Sequence, residues 1–293
     1  MSGLSFRLKA FLILFYAAGT AFLIFGLVAS GPPGWAAFLV FVTLASVAAA
    51  FPVILPNSAT TSVSFAVVFA AMLVLGPIYA ALVGFVSAFN WFDLVVDRPP
   101  LYKIFFNAVN YAMSIGTAGY AYLSLGGQLA AMKAMEFPRL IIPLTLSAGI
   151  SYAINTFPLA VAIGIEQQLP IGNIWRQNFM WEIPNYWMLS IVGTALAQVY
   201  YVTGPVGITL IVVPLVVARQ TFQVYMKLKD AYLETVRSLV GALEAKDPYT
   251  RGHSERVAKY AELTAKELKL PDDKIETLRY AALLHDIGKI GIA

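Results

Sequence analysis

The chain contains two histidines, His253 and His285, and both lie near its C-terminal end. Each falls in a segment with helical periodicity. In "EAKDPYTRGHSERVAKYAELTAKEL" a helix restarts near Gly252, and His253, Val257, Ala261, Thr264 and Leu268 recur at three- and four-residue steps. That spacing puts the first imidazole on the buried face. Leu270-Pro271-Asp272-Asp273 forms a turn, its acidic pair placed where the next helix N-terminus favours negative charge. Ile275, Leu278, Ala282 and His285 then share a face, so the second imidazole is also expected to point inward. A single inward histidine is commonly a hydrogen-bonded core residue. Two on neighbouring helices, with Asp286 beside one, make a donor set suited to zinc, iron or manganese, and the carboxylate can bridge two ions. Gly288 permits a close turn, and Lys289 can present its ammonium to a phosphate near the metal. The chain has no cysteine, so disulfides, thiolate catalysis and Cys-ligated zinc are excluded.

"DPYTRGHSERV" followed by "ALLHDIGKIGI" resembles the opening half of an HD-GYP domain, within the HD superfamily of metal-dependent phosphohydrolases. The similarity covers roughly residues 243–292, about a sixth of the chain. The pair "HD" alone is a weak signal, whereas "YTRGHSERVA" some thirty residues before "HDIGK" is specific. The resemblance implies an all-helical fold and a divalent-metal centre of two or more ions, most often iron or manganese. It implies hydrolysis of a cyclic dinucleotide, usually cyclic di-GMP, in bacterial signalling. By that resemblance His253 and His285 are metal ligands, Asp286 is a catalytic ligand bridging two ions, and Lys289 is a catalytic contact to the scissile phosphate. Family members carry further His ligands, an Asp and the Gly-Tyr-Pro segment after the HD pair, whereas this sequence stops at Ala293. The expectation is an active site begun but not completed within these residues, as in a fragment of a longer protein. Such a chain would hold metal poorly and hydrolyse nothing by itself.

The elements that position this cluster are set by composition. The chain is 59% hydrophobic and 12% charged, with a mean hydropathy of +0.73; a soluble domain is about 25% charged. This is the composition of a polytopic membrane helix bundle. Lys and Arg number seven before residue 219 and thirteen from it onward. The composition shift near Arg219 divides a multi-pass, sensor-like membrane domain (1–218) from a connecting helix (219–246) and the first part of a phosphohydrolase-like domain (247–293). The net charge of +4 is small and spread out. It indicates Lys and Arg on the cytoplasmic side of a bilayer and not a nucleic-acid polymer as partner.

Eight apolar segments suit membrane helices, at about 9–29, 34–55, 61–75, 77–96, 103–125, 139–163, 183–202 and 205–219. Gly76-Pro77 and Gly204-Pro205 break two pairs, because proline cannot continue the preceding hydrogen-bond pattern. If either pair is one kinked or re-entrant segment, seven or six spans remain. Arg7, Lys9, Arg98, Lys103 and Arg176 share one side, with Lys133 and Arg139 opposite. With the N-terminus inside, this bias places the C-terminal domain at the cytoplasmic face, in a bacterial cytoplasmic membrane. The first segment could also be a secretory signal, but its apolar run is long for one. Pro56-Asn57 precedes Gly76-Pro77 by the same twenty positions that separate Pro184-Asn185 from Gly204-Pro205, an offset of 128. The pattern suggests parallel internal copies; coincidence among helix-end residues is the other reading. Asn107, Asn110 and Ser114 share a helical face, Asn90 and Asp93 lie near a span end, and Asn155 lies deep in span six. Such groups serve either as a ligand site or as glue between helices.

From Thr221 to Glu244, Tyr225, Leu228, Tyr232, Val236, Leu239 and Leu243 form an apolar stripe among charged residues. The stripe can pair with a second copy as a parallel homodimer or pack on its own domain. Asp247-Pro248 ends the helix. Three functions of different class follow: a membrane-anchored cyclic-dinucleotide phosphodiesterase, a non-catalytic receptor or adaptor, and a transporter-like protein with a regulatory tail.

Overall fold

The computed structural model describes residues 4–50, 53–54, 60–61, 63–89, 98–129, 137–246 and 252–288 of the 293. Among these the regular structure is helical, apart from a two-residue antiparallel pair, β1 (Val53–Ile54) with β2 (Thr60–Thr61). The helices are α1 (Phe6–Ala29), α2 (Trp35–Ala49), α3 (Ser64–Leu75), α4 (Pro77–Ser87), α5 (Leu101–Ser124), α6 (Phe137–Gln167), α7 (Ile171–Asn178), α8 (Ile183–Lys246), α9 (His253–Glu267) and α10 (Asp272–Leu284). The chain divides into two compact units, Met1–Arg219 and Gln220–Ala293.

In the first unit, each expected span coincides in large part with a helix. Span two is cut short at Ala49, ahead of Pro52, and span four ends as a helix at Ser87. Asn90 and Asp93 lie outside the described residues, as does Lys133. Among the described residues of the chain, three stretches are long and apolar enough to cross a membrane: Phe6–Ala29, Pro138–Gln167 and Ile171–Gly241. Their outward faces carry large apolar side chains, among them Leu14 at 71%, Phe25 at 78% and Val202 at 81% exposure. In water this would be an aggregating surface; in a bilayer it is the lipid face. By contrast α3 is apolar all round and buried all round, every residue from Phe65 to Leu73 being 6% exposed or less. It anchors a core that includes Phe41 of α2, Val83 of α4, Ile115 of α5 and Leu196 of α8.

Both Gly-Pro breaks are real. Gly76 adopts φ 84° between α3 and α4, and Gly204 adopts φ 68° within α8. Only glycine enters that region without a Cβ penalty, and proline can start the helix that follows. At 12 and 11 residues, α3 and α4 are each about 16–18 Å long, short of the ~30 Å hydrocarbon core. The two pack against one another.

The first part of α8 packs on α3. Tyr201 Oη donates to the Leu73 carbonyl at 2.9 Å, across a separation of 128 residues. Further back, Gly193 lies against Ala66, where an added Cβ would stand 2.6 Å from the carbonyl oxygen. Contact therefore advances from Ala66 to Leu73 on α3 as it advances from Gly193 to Tyr201 on α8, so these stretches run parallel. Asn110 behaves as interhelical glue: its Nδ2 donates to the Asn155 carbonyl at 2.6 Å, tying α5 to α6. Ser114 bonds within its own helix, to the Tyr111 carbonyl.

The second unit comprises residues 220–246 of α8 together with α9 and α10. Its core is Val236, Val240, Ala258, Ala282 and Leu283. Here the expected faces shift. On α9 the fully buried positions are Ser254, Ala258 and Ala265, one residue away from the stripe read in the sequence. Small side chains let α9 approach its neighbours closely, so the face turns toward them, and Thr264 and Leu268 are exposed. Of the α8 stripe, Val236 is buried at 4%, whereas Tyr225, Leu228, Tyr232 and Leu239 are 50–68% exposed.

Candidate metal centre

Local structure brings His253 and His285 to the same place. Gly252, in the left-handed conformation at φ 70°, turns the chain so that α9 begins at His253. Leu283, 2% exposed, anchors the end of α10, and His285 follows at its C-cap. The unit is held mainly by its apolar core. Its ion pairs lie at the surface: Lys229 with Glu276 at 2.9 Å and Arg237 with Glu255 at 3.0 Å join α8 to α10 and α9. Arg279 reaches Glu262 at 3.8 Å between α10 and α9. Exposed pairs of this kind contribute little, because water and salt screen them. The Lys266 hydrogen bond and charge hold the Glu262 carboxyl below its ordinary value, with Arg279 adding to them. The Glu276 hydrogen bond raises the Lys229 ammonium.

The two imidazole rings lie with centroids 5.3 Å apart, inclined at 55°. His285 Nε2 is 3.4 Å from Asp286 Oδ2. One ligating atom from each of His253, His285 and Asp286 can be chosen so that all three lie within 4.8 Å of one another. The inward orientation expected from the sequence is corrected in one respect. Neither ring is sealed in the core: the His285 side chain is 35% exposed and that of Asp286 20%. The cause is position, since His285 follows the last turn of α10 and His253 stands at the edge of the shifted α9 face. Lys289 lies outside the described residues.

His285 Nδ1 is 2.8 Å from the Ala282 carbonyl. A carbonyl only accepts, so Nδ1 carries the proton and donates. This is the usual arrangement for a metal-binding histidine, whose other nitrogen is thereby left as an oriented lone pair. That lone pair faces a carboxylate oxygen. A metal ion between the two would be held by both, with the His253 ring as a third donor. Donors around one ion at ~2.1 Å stand about 3 Å apart, so the set needs to draw in by about 1–2 Å, within the reach of side-chain rotation. The residues fit a divalent ion. Sequence spacing does not point to the Ala282 carbonyl, because any helical residue could supply it.

Comparison with known proteins follows the same division. Residues 250–293 match the HD domain. The chain is 51% identical over 72 residues to the 3'3'-cGAMP-specific phosphodiesterase 3 of Vibrio cholerae serotype O1. That alignment covers 24% of this chain and 16% of the Vibrio protein, so the chain spans only a small part of that relative's length. No solved structure matches. Residues 34–226, well over half of the 293, match MASE9, and their apolar helices are those of a membrane protein. The chain therefore belongs to the MASE9 family, with HD-domain sequence following its membrane helices.

Proposed function

We propose that this chain is the membrane-anchored sensory part and the first catalytic helices of a metal-dependent cyclic-dinucleotide phosphodiesterase of HD-GYP type. In this reading residues 1–218 form the sensor-like membrane domain, 219–246 connect, and 247–293 begin the phosphohydrolase domain. The observation that carries it is the convergence of His253, His285 and Asp286 within 4.8 Å. His253 and His285 each offer a ring nitrogen, and Asp286 an oxygen able to bridge two ions. Iron or manganese suits this mixture of nitrogen and oxygen donors. When bound, such an ion supplies Lewis acidity toward a phosphodiester and lowers the pKa of water. The Ala282 carbonyl keeps His285 in the tautomer that presents Nε2. Partial exposure of His285 and Asp286 leaves the cluster open to a substrate from water. Lys289, three residues beyond Asp286, is assigned to the scissile phosphate, where a cation opposes charge gained in the transition state.

Cyclic di-GMP is the substrate implied by the sequence resemblance. The Vibrio relative's name favours a second candidate, 3'3'-cGAMP. The protein is placed in a bacterial cytoplasmic membrane with its C-terminal domain in the cytoplasm, and as a homodimer through α8. The test is hydrolysis of both nucleotides by membranes from cells carrying the gene with this sequence, wild type against His285→Ala. Loss of at least a hundredfold in hydrolysis of either nucleotide supports the reading. Equal hydrolysis by the variant contradicts it, and the nucleotide cleaved faster identifies the substrate.

A further inference from the structure

A cavity of about 250 Å³ lies in the first unit between α1, α5 and α6. Leu8, Leu12, Phe106 and Leu159 supply an apolar wall. Lys103, Asn107 and Glu166 also line it, and all three are exposed side chains. Asn110 meets Asn155, and earlier on α5 Lys103 shares the cavity with Glu166 later on α6, so α5 and α6 are antiparallel neighbours and the start of one lies beside the end of the other. Lys103 is in the first turn of α5 and Glu166 in the last turn of α6. Each charge thus occupies the helix end whose macrodipole opposes it, a cation at the positive end and an anion at the negative end. They do not neutralise one another. Among the described residues neither is in an ion pair, and the Asn107 amide has no hydrogen-bond partner.

Both charges stand at helix ends, where the interface of a bilayer lies, and border the same apolar wall. Two opposed, unpaired charges with an amide between their helices and an apolar wall behind set a specific requirement. An anion would satisfy Lys103 and an Asn107 N–H. An ammonium would satisfy Glu166. A ligand with one charge alone would leave the other residue unanswered. The volume is below the roughly 300–1,000 Å³ of drug-sized pockets, which suits a short alkyl chain or one ring, or the head-proximal part of a lipid chain.

We propose that the α1–α5–α6 cavity binds a zwitterionic amphiphile, its anion at Lys103 and Asn107, its ammonium at Glu166 and its apolar body against Leu12 and Phe106. The same chemistry has two sources, an amino-bearing phospholipid of the bilayer or a small apolar amino acid.

The experiment uses the full chain in phosphatidylglycerol nanodiscs, which supply no ammonium. Binding of 2-aminooctanoate is measured there against octanoate and octylamine, and phosphatidylethanolamine is titrated into the discs in a parallel arm. The expected result is at least tenfold tighter binding of a zwitterion than of either singly charged analogue. Lys103→Met and Glu166→Gln should each weaken it at least tenfold, with the thermal midpoint unchanged, while His285→Ala leaves it intact. Binding of 2-aminooctanoate identifies a solute site, and binding of phosphatidylethanolamine alone a lipid site. Binding of neither, equal binding of the singly charged analogues, or wild-type binding by both rim variants overturns the proposal.

Discussion

At His285 a backbone carbonyl decides the chemistry. The 2.8 Å contact with Ala282 fixes the proton on Nδ1 and turns the other nitrogen toward Asp286. Asp286→Asn keeps the side-chain size and removes the charge. It should weaken Mn²⁺ affinity of the full chain at least tenfold in an equilibrium titration, with helix content unchanged. Two surface ion pairs give the second unit a weak pH dependence. Glu262 has a depressed folded value, so its stabilising contribution is present above the unfolded value and lost as pH falls through the folded one. Lys229 is raised, so its contribution is present below the unfolded value and lost as pH rises through the folded one. Hydrogen-exchange protection of α9 and α10 in the full chain should therefore be flat across neutrality. It should fall under acid below the ordinary carboxylate range, and Glu262→Gln should flatten that acid limb. The convergence of His253, His285 and Asp286 was legible in the sequence, because histidine is scarce here and its spacing is helical. Their exposure was not, since periodicity records which residues are apolar and says nothing about where a helix stops.

Among the elements, legibility followed side-chain size. Long apolar runs and the breaks at Gly76 and Gly204 could be read directly, because proline and positive φ leave few alternatives. The α9 face was misplaced by one residue because Ser254, Ala258 and Ala265 are small. They bury through close approach, which a hydrophobic pattern underweights. The α3–α8 contact depends on the same property: Gly193 admits the Ala66 carbonyl where a Cβ would meet it at 2.6 Å. Gly193→Ala should force backbone displacement and lower the thermal midpoint of the detergent-solubilised protein by several degrees. Gly172, with open space around its Cβ position, provides the control, and Gly172→Ala should leave the midpoint unchanged. The cavity charges at Lys103 and Glu166 were visible as residues but not as neighbours. Their adjacency follows only from the antiparallel packing of α5 on α6.

For the whole molecule, α8 runs from Ile183 to Lys246 with its break at Gly204, joining the membrane helices to the HD-domain sequence, and its exposed stripe is the surface on which we propose that two copies pair. Tyr225, Leu228, Tyr232 and Leu239 lie at the three- and four-residue steps of a heptad seam, with Thr235 between the last two. The chain lacks cysteine, so single substitutions report cleanly. Leu228→Cys should cross-link to its copy under mild oxidation in native membranes. Val236→Cys, buried at 4%, should not.

The central claim is that His253, His285 and Asp286 hold one common ion. X-ray absorption at the iron edge of the anaerobically loaded full chain tests it, because imidazole gives a distinctive multiple-scattering signal. Two imidazoles per iron in the wild type, falling to one in both His253→Ala and His285→Ala, is the predicted result. Iron without imidazole scattering, or an unchanged signal in either variant, would contradict the claim.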